Sequence, residues 1–493
     1  MSENKTLYEF HSVRPLQKDD QLDTETSRDQ ASTERTMHKF YNPYIQNQQL
    51  FFDSLLLFVD EHSKFCKKGL RTLPSAYDSL DASRPWFCFW CCNALSMIPN
   101  LGEDNVLYPS QLDLVKKQDT TLVSDFSEFL AGKCQDLEHG GFGGGPKQLS
   151  HVAPTFSGTI ALCALKATDG LNRIDREKMY SFLYSLKDPV SKGFRMHVDG
   201  EVDTRGCFCA LIVATVLNIL DDKLMEGVDE YLINCQTYEG GICAFPGSEA
   251  HGGYTYCGLA SMMLMKKAHL LDLDALFHWL CRRQMSYEGG FQGRTNKLVD
   301  ACYSFWVGAC FPLIEAAFIS LKDPKDRTEH DQCVLDYLQW IPPELDQETR
   351  LKYTPKSFSL QNFDIKEHKT CCSHHSGTLE DASCQIEELD EKTPYIELDD
   401  TEWLFNQTAL QEYLLLCCQQ ETGGLRDKPI KHPDFYHTCY ALFGLTIAQH
   451  NPSGSLSVLG DCKNLLRSIN PLFQMCNDSV SFVLQHFGGR TKI

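Results

Sequence analysis

Asp300 and Cys302 stand two residues apart in Val299-Asp300-Ala301-Cys302-Tyr303, and His437 closes the string Asp434-Phe435-Tyr436-His437. A carboxylate, a thiolate and an imidazole are all competent zinc ligands. Three protein ligands leave a fourth position open, which distinguishes a catalytic zinc site from a closed structural one. Asp-x-Cys alone is a weak pattern, because a helix cap beside a buried thiol reads the same way. A second chemistry lies nearby. His251, Arg294, Lys297 and Tyr303 are hydrogen-bond donors, two of them with fixed positive charge. In an acidic chain such a group suits a phosphate or diphosphate, with arginine as a bidentate fork and lysine as a point charge. Taken singly, each of them reads as solvated surface.

Aromatic residues crowd the same neighbourhoods: Trp86, Trp90, Phe156, Phe208, Tyr254, Trp306, Tyr436 and Tyr440. Their default role is core packing. Beside a basic rim they would also suit a ligand with a long apolar tail and an anionic head.

These strings are far apart in the chain, and a repeat supplies the means of gathering them. A glycine followed by an apolar residue recurs at Gly141-Phe142, Gly193-Phe194, Gly241-Ile242, Gly290-Phe291 and Gly424-Leu425. The first four are spaced about 50 residues apart, room for two helices and their loops. Ten residues after each glycine comes a polar residue, His151, Asp203, His251, Asp300 or Asp434, and then an apolar stretch. Leu259, Met262, Met263, Leu270, Leu271, Leu276, Phe277 and Leu280 show the three- and four-residue spacings of helices. The fold class expected is all-α, built from stacked helical hairpins. Periodicity alone does not choose between an open solenoid and a closed ring.

The long interval before the last glycine marks an insertion at about 323–402, acidic in its second half and read largely as a solvated loop. It carries Cys371-Cys372-Ser373-His374-His375 and Cys384, which lack the two-residue spacers usual in zinc clusters. Residues 1–40 are polar and are expected to be disordered, leaving 41–493 as one domain. The chain has 493 residues, 42% of them hydrophobic, and a formal charge of −20. That charge argues against a general nucleic-acid or anionic-membrane binder. No apolar run is expected to reach the roughly 20 residues that span a bilayer, and Met1 to Gln30 has no apolar signal core. The 23 cysteines show no scaffold spacing and are read as reduced, in a cytoplasmic setting.

Longer strings then carry a resemblance. Asp81-Ala-Ser-Arg-Pro-Trp-Phe-Cys-Phe-Trp90, His151-Val-Ala-Pro-Thr155, Gly200-Glu-Val-Asp-Thr-Arg205, Glu249-Ala-His-Gly-Gly-Tyr-Thr-Tyr-Cys-Gly-Leu259, Gly290 to Trp306 and Asp434 to Tyr440 stand in order along the chain. From about Leu70 to Gln449, apart from the insertion, the chain resembles the β subunits of protein prenyltransferases, most of all those of farnesyltransferase type. The resemblance implies an α/α toroid, two concentric rings of helices around a funnel. It implies a zinc enzyme that is active only as a heterodimer with an α subunit. Such an enzyme transfers a farnesyl group from farnesyl diphosphate to the cysteine of a C-terminal CaaX tail. Geranylgeranyltransferase type I, with a C20 donor, is the alternative, and a non-catalytic helical scaffold is a more distant one.

By matching position, the resemblance assigns zinc to Asp300, Cys302 and His437, with Tyr303 also catalytic. Diphosphate and isoprenoid would meet His251, Arg294, Lys297, Tyr303, Arg205, Tyr254, Cys257 and Trp306. The peptide would meet Trp86, Trp90, His151, Ala153, Pro154, Arg205 and Tyr436. Asp427 matches an aspartate associated with Mg²⁺ in farnesyltransferases, where the type I geranylgeranyl enzyme has lysine. Trp86 and Tyr440 match bulky residues that shorten the lipid channel, and both features favour a C15 donor. Phe156 and Phe208 depart from the family's usual tyrosines.

Overall fold

A helix buried on every side has no polar face to show, and the apolar stretches that follow the polar column are of that kind. The structure, a computed structural model, describes residues 23–46, 55–73, 75–101, 107–353 and 403–490. Helix α1 (Glu25–Gln46) precedes six hairpins, each an outer helix followed by an inner one. The pairs are α2 (Val59–Gly69) with α3 (Arg84–Met97), and α4 (Leu122–Ser127, continued by a π-helical turn to Cys134) with α5 (Val152–Ala164). Next come α6 (Arg176–Ser185) with α7 (Thr204–Val216), and α8 (Val228–Asn234) with α9 (Gly252–Leu264). Helix α10 (Leu273–Cys281) pairs with the two-part inner element α11 (Tyr303–Trp306) and α12 (Cys310–Leu321). After α13 (Glu329–Tyr337), α14 (Gln407–Glu412, continued by a π-helical turn to Cys418) pairs with α15 (Phe435–Gln449), and α16 (Asn477–Gly488) ends the described chain.

The inner helices close on themselves. Helix α3 packs on α5, α5 on α7, α7 on α9, α9 on α11 and α12, and α11 on α15, which returns to α3. An open solenoid would leave α3 and α15 as free ends, so the ring is the answer to the question that periodicity left open. The repeated glycines show how neighbouring hairpins dock. Gly289 has a φ of +82°, and a Cβ there would run into the Ala409 carbonyl of the next outer helix. Gly423 has a φ of +95° and meets the Glu61 carbonyl of α2 in the same way, so the last repeat seats on the first. The polar column caps the inner helices: His151, Asp203, His251 and Asp434 each accept a backbone N–H from the first turn of α5, α7, α9 and α15.

Two short antiparallel hairpins complete the fold, β1 (Pro99–Leu101) with β2 (Leu107–Ser110) and β3 (Ile469–Asn470) with β4 (Met475–Cys476). The second lies across one end of the ring. There the Tyr256 hydroxyl donates to the Pro471 carbonyl at 2.7 Å, and the Tyr440 hydroxyl to Gln474 Oε1 at 3.3 Å.

Three sequence expectations change. Residues 1–40 are not disordered throughout, since α1 begins at Glu25. Gln30, Met37 and Tyr41 fall on one face; Met37 and Tyr41 are fully buried, and Gln30 and Tyr41 both hydrogen-bond Glu288. The insertion is folded at its start. Helix α13 opens with a capping box of Thr328 and Asp331, and buried Asp331 pairs with Lys322 at 2.7 Å. Residues 354–402, with the Cys371–His375 run and Cys384, lie outside the described residues. Finally, Tyr303–Leu321 does have the length and composition of a membrane span, although 89% of it is buried within the protein. It is the inner wall of the fifth hairpin.

Ring closure has a titratable witness in His62 of α2. Its Nδ1 accepts the Gly424 N–H at 3.0 Å and its Nε2 lies 3.3 Å from Gln419 Oε1, both in the sixth repeat. Burial, against a smaller opposing effect of Gln419, pushes its pKa from 6.5 down to about 4. Between those values the unfolded chain binds the proton and the folded one does not, so stability falls as pH drops from 6.5 to 4. The full cost is about 3 kcal/mol. Urea midpoints measured across that window should therefore fall less steeply for His62→Gln than for the parent chain; equal slopes refute the assignment.

Candidate metal centre and aromatic funnel

Cys302 immediately precedes α11 and His437 lies in the first turn of α15, so the contact between these two helices joins the two halves of the sequence pattern. The approach is close because Gly444 of α15 lies against Ser304 of α11, where any Cβ would collide with the Ser304 backbone. One ligand atom each from Asp300, Cys302 and His437 lies within 4.8 Å of the others. Asp300 Oδ1 also accepts the Cys302 N–H at 2.9 Å, so the carboxylate that caps the chain there is also one of the three candidate ligands. His437 points Nε2 at Asp300 Oδ1, 3.3 Å away, and its Nδ1 is held by Asp434 Oδ2 at 2.7 Å.

The electrostatics of this trio call for a cation. Burial opposes charge on His437, but the Asp300 and Asp434 carboxylates outweigh it and lift its pKa to about 10. Burial likewise works against the Asp300 charge, and His437 holds that carboxyl below its usual range. Cys302 is pushed far up, by burial first and then by Asp300. The imidazolium proton thus sits where a divalent ion would neutralise carboxylate and thiolate together. The O, S and N donors, with a carboxylate behind the imidazole, fit zinc.

Around the same rim, Tyr303 Oη lies 3.0 Å from His251 Nε2, while His251 Nδ1 accepts the Gly253 N–H at 3.0 Å. That backbone bond fixes the neutral tautomer with its proton on Nε2. Nε2 therefore donates to Tyr303, whose own hydroxyl proton is left to point elsewhere. Burial, followed by Arg294, keeps His251 neutral with a pKa of about 4. Gly293 makes room for the Tyr303 ring, since a Cβ there would overlap it. Arg294 pairs with Glu249 at 3.1 Å, and Lys297 is exposed. Arg205 is forked onto Asp203 at 2.6 and 3.1 Å, with its guanidinium 5.7 Å from the Tyr254 ring centre, and Cys257 is buried. Asp427 joins the trio through its backbone, its carbonyl accepting the Ala301 N–H at 2.9 Å. Its carboxylate is paired with Lys428. Burial and the Asp300 charge push its pKa up.

The aromatic residues form a continuous lining. Trp86 stacks on Trp90 at 5.7 Å, Trp90 meets the Tyr436 edge at 5.8 Å, and Trp306 lies 4.5 Å from Tyr440. Phe156 and Phe208, 5.5 Å apart, continue it to Tyr256. His151 caps α5 through the Ala153 N–H, with Pro154 buried in the same first turn and the His197 ring 5.4 Å away. Tyr440 is fully buried behind Trp306, whereas Trp86 is half-buried.

The sequence profile described as "Prenyltransferase alpha-alpha toroid domain" matches residues 57–475. The chain is 37% identical over 473 residues to the protein farnesyltransferase subunit beta of Arabidopsis thaliana, covering 94% of this chain and 90% of that protein. It is 39% identical over 402 residues to the same-named subunit of Pisum sativum, covering 80% and 87%. The chain belongs to the protein prenyltransferase β-subunit family. A solved structure, "Candida albicans protein geranylgeranyltransferase-I complexed with GGPP", is similar at a TM-score of 0.58 and 19% identity. It covers 87% of this chain and 99% of that one, and at that identity it speaks for the fold alone. The expected all-α toroid and the enzyme class, a prenyltransferase subunit, both stand.

Within this prenyltransferase subunit, four residues at the site were given no role by the sequence reading. Asp434 orients His437, Asp203 holds Arg205, Glu249 pairs with Arg294 and Gly293 admits Tyr303. Two of them are members of the polar column, so the repeat itself was the signal. Glu249 and Gly293 have no such mark. Because Asp434 is outside the ligand set, Asp434→Asn keeps the cap and removes the charge behind the imidazole. Chelator competition should then show zinc held about 10- to 100-fold more weakly.

Proposed function

We propose that this chain is the β subunit of a heterodimeric, zinc-dependent protein farnesyltransferase. It would transfer a farnesyl group from farnesyl diphosphate to the cysteine thiol of C-terminal CaaX tails. The observation that carries the reading is the convergence of Asp300, Cys302 and His437 beside an aromatic funnel with a basic rim. Zinc held by these three residues would supply an open position that lowers the pKa of the substrate thiol, so that its thiolate forms at neutral pH.

The chain's own residues account for the rest. The aromatic wall from Trp86 to Trp306 binds the apolar tail of the donor and keeps water from C1. Arg294, Lys297 and the Tyr303 hydroxyl face the diphosphate and offset the charge that grows on it as the C1–O bond breaks. The S–C1 bond forms as that bond breaks, and diphosphate leaves with the electron pair. Arg205 and His151 hold the polar end of the peptide, with Trp90, Ala153, Pro154 and Tyr436 around its last side chain. Mg²⁺ at Asp427 would have to displace Lys428 from that carboxylate. The α subunit completes the site, and the assembly works in the cytoplasm on soluble donor and protein.

One zinc per heterodimer is the expected metal content, with zinc and activity both lost in Cys302→Ala; a fully active metal-free dimer refutes the reading. Donor length is decided by competition between C15 and C20 diphosphates. Trp86 is the half-buried member of the pair that shortens the channel, so Trp86→Thr with Tyr440→Phe should move selection towards C20, chiefly through Trp86. A parent enzyme that prefers C20 would make this a geranylgeranyltransferase type I.

A further inference from the structure

Arg283 lies just past the end of α10, and it is buried although its side chain is a permanent cation. Its guanidinium sits 4.7 Å from the Trp279 ring centre, and its Nε donates to the Trp279 carbonyl at 3.3 Å. Nη1 donates to the Thr295 hydroxyl oxygen at 2.9 Å. A guanidinium can only donate, so Thr295 Oγ1 is the acceptor, and its own proton goes to Glu239 Oε2, 3.2 Å away. Thr295 stands between Arg294 and Lys297, the two cations of the rim. We propose that Arg283 is a positioning residue for the diphosphate site, holding the 292–297 loop through the Thr295 hydroxyl so that Arg294 and Lys297 face the anion together. This rests on the diphosphate reading above and adds to it a buried cation that acts from behind the loop.

The rest of the loop is tied through its backbone. The Lys297 N–H donates to Gln292 Oε1 at 3.2 Å, and the Gly252 N–H donates to the Gly293 carbonyl at 2.8 Å. The Gln292 N–H in turn donates to the Arg283 carbonyl at 2.9 Å. Those bonds set the path of the chain, whereas Arg283 Nη1 fixes a side chain between the two cations. Arginine and lysine side chains lose much freedom when they close on an anion, and a loop already held from behind leaves less to be ordered. The relay also crosses a seam, because Glu239 belongs to the fourth hairpin and Arg283 and Thr295 to the fifth. Across one hydroxyl, Arg283 offsets a carboxylate whose charge would otherwise oppose an anion at Arg294 and Lys297.

The test uses the full chain co-purified with a prenyltransferase α subunit, with inorganic diphosphate competing against farnesyl diphosphate as the probe. Thr295→Val keeps the shape of an exposed side chain and removes its hydroxyl, and should weaken diphosphate binding about 10-fold. Thr295→Ser keeps the hydroxyl and should bind as the parent does. Arg283→Met keeps an apolar stem beside Trp279 and should weaken diphosphate at least as much as Thr295→Val. In the double variant Arg283→Met with Thr295→Val the two losses should not add, because both cut one relay. Equal affinities in Thr295→Val and Thr295→Ser, or fully additive losses, overturn the proposal. If Arg294→Gln weakens diphosphate while Thr295→Val and Arg283→Met do not, the relay falls and the diphosphate reading stands. A parent heterodimer that binds neither diphosphate overturns both.

Discussion

The approach of α15 to α11 is the constraint on which the site depends. Asp300 and Cys302 come from one hairpin and His437 from the next, beyond the long insertion. Gly444 permits the approach, because its missing side chain lets the α15 backbone settle against Ser304. The same contact needs a closed ring behind it. Gly423 on α2 and the His62 bonds to the sixth repeat hold α15 from its far side, so the candidate metal site inherits its geometry from ring closure. In a toroid each hairpin is held by two neighbours, and a site built across one seam is stiffened by all the others.

Cap and site coincide in this fold. His151, Asp203, His251 and Asp434 start inner helices by accepting backbone N–H groups, and Asp300 does the same for the Cys302 N–H. A polar residue at that position serves stability in every repeat. At the start of α11 and α15 it also belongs to, or orients, the candidate metal-ligand set. The inner helices begin on one rim, so their positive ends gather there although the chain carries a charge of −20. A diphosphate approaching that rim meets helix ends, Arg294 and Lys297 rather than the average surface.

Much of this was readable from the residues alone. The glycine interval, the polar column and the metal trio are all marks of type and spacing, and the structure brings the trio together. What spacing could not show were features that depend on a neighbour from another repeat. Gly444 looks like any helical glycine until Ser304 is placed against it, and nothing near Glu249 announces Arg294. Helix α1 was hidden by composition. Its polar majority reads as solvated, while the few residues that dock it, among them Met37 and Tyr41, are spaced too thinly to stand out. Asp323–Tyr353 escaped notice for a related reason: a capping box and one buried ion pair fold its start, and neither weighs much in an acidic average.

The funnel wall follows the same logic of partners. Tyr256 and Tyr440 are fully buried, and each has an acceptor in the C-terminal hairpin, the Pro471 carbonyl and Gln474 Oε1. A buried phenol without an acceptor costs on the order of 1 to 3 kcal/mol. Phe156 and Phe208 are almost as buried and sit where the ring stack meets other rings: Trp86 and Phe89 beside the first, Tyr256 beside the second. Phenylalanine there carries no hydroxyl needing a partner, and the wall between Trp86 and Tyr256 stays apolar along its length. In the proposed function a wall of that kind holds the isoprenoid by area and shape, which leaves the fixing of its reacting end to the polar rim and the candidate metal site.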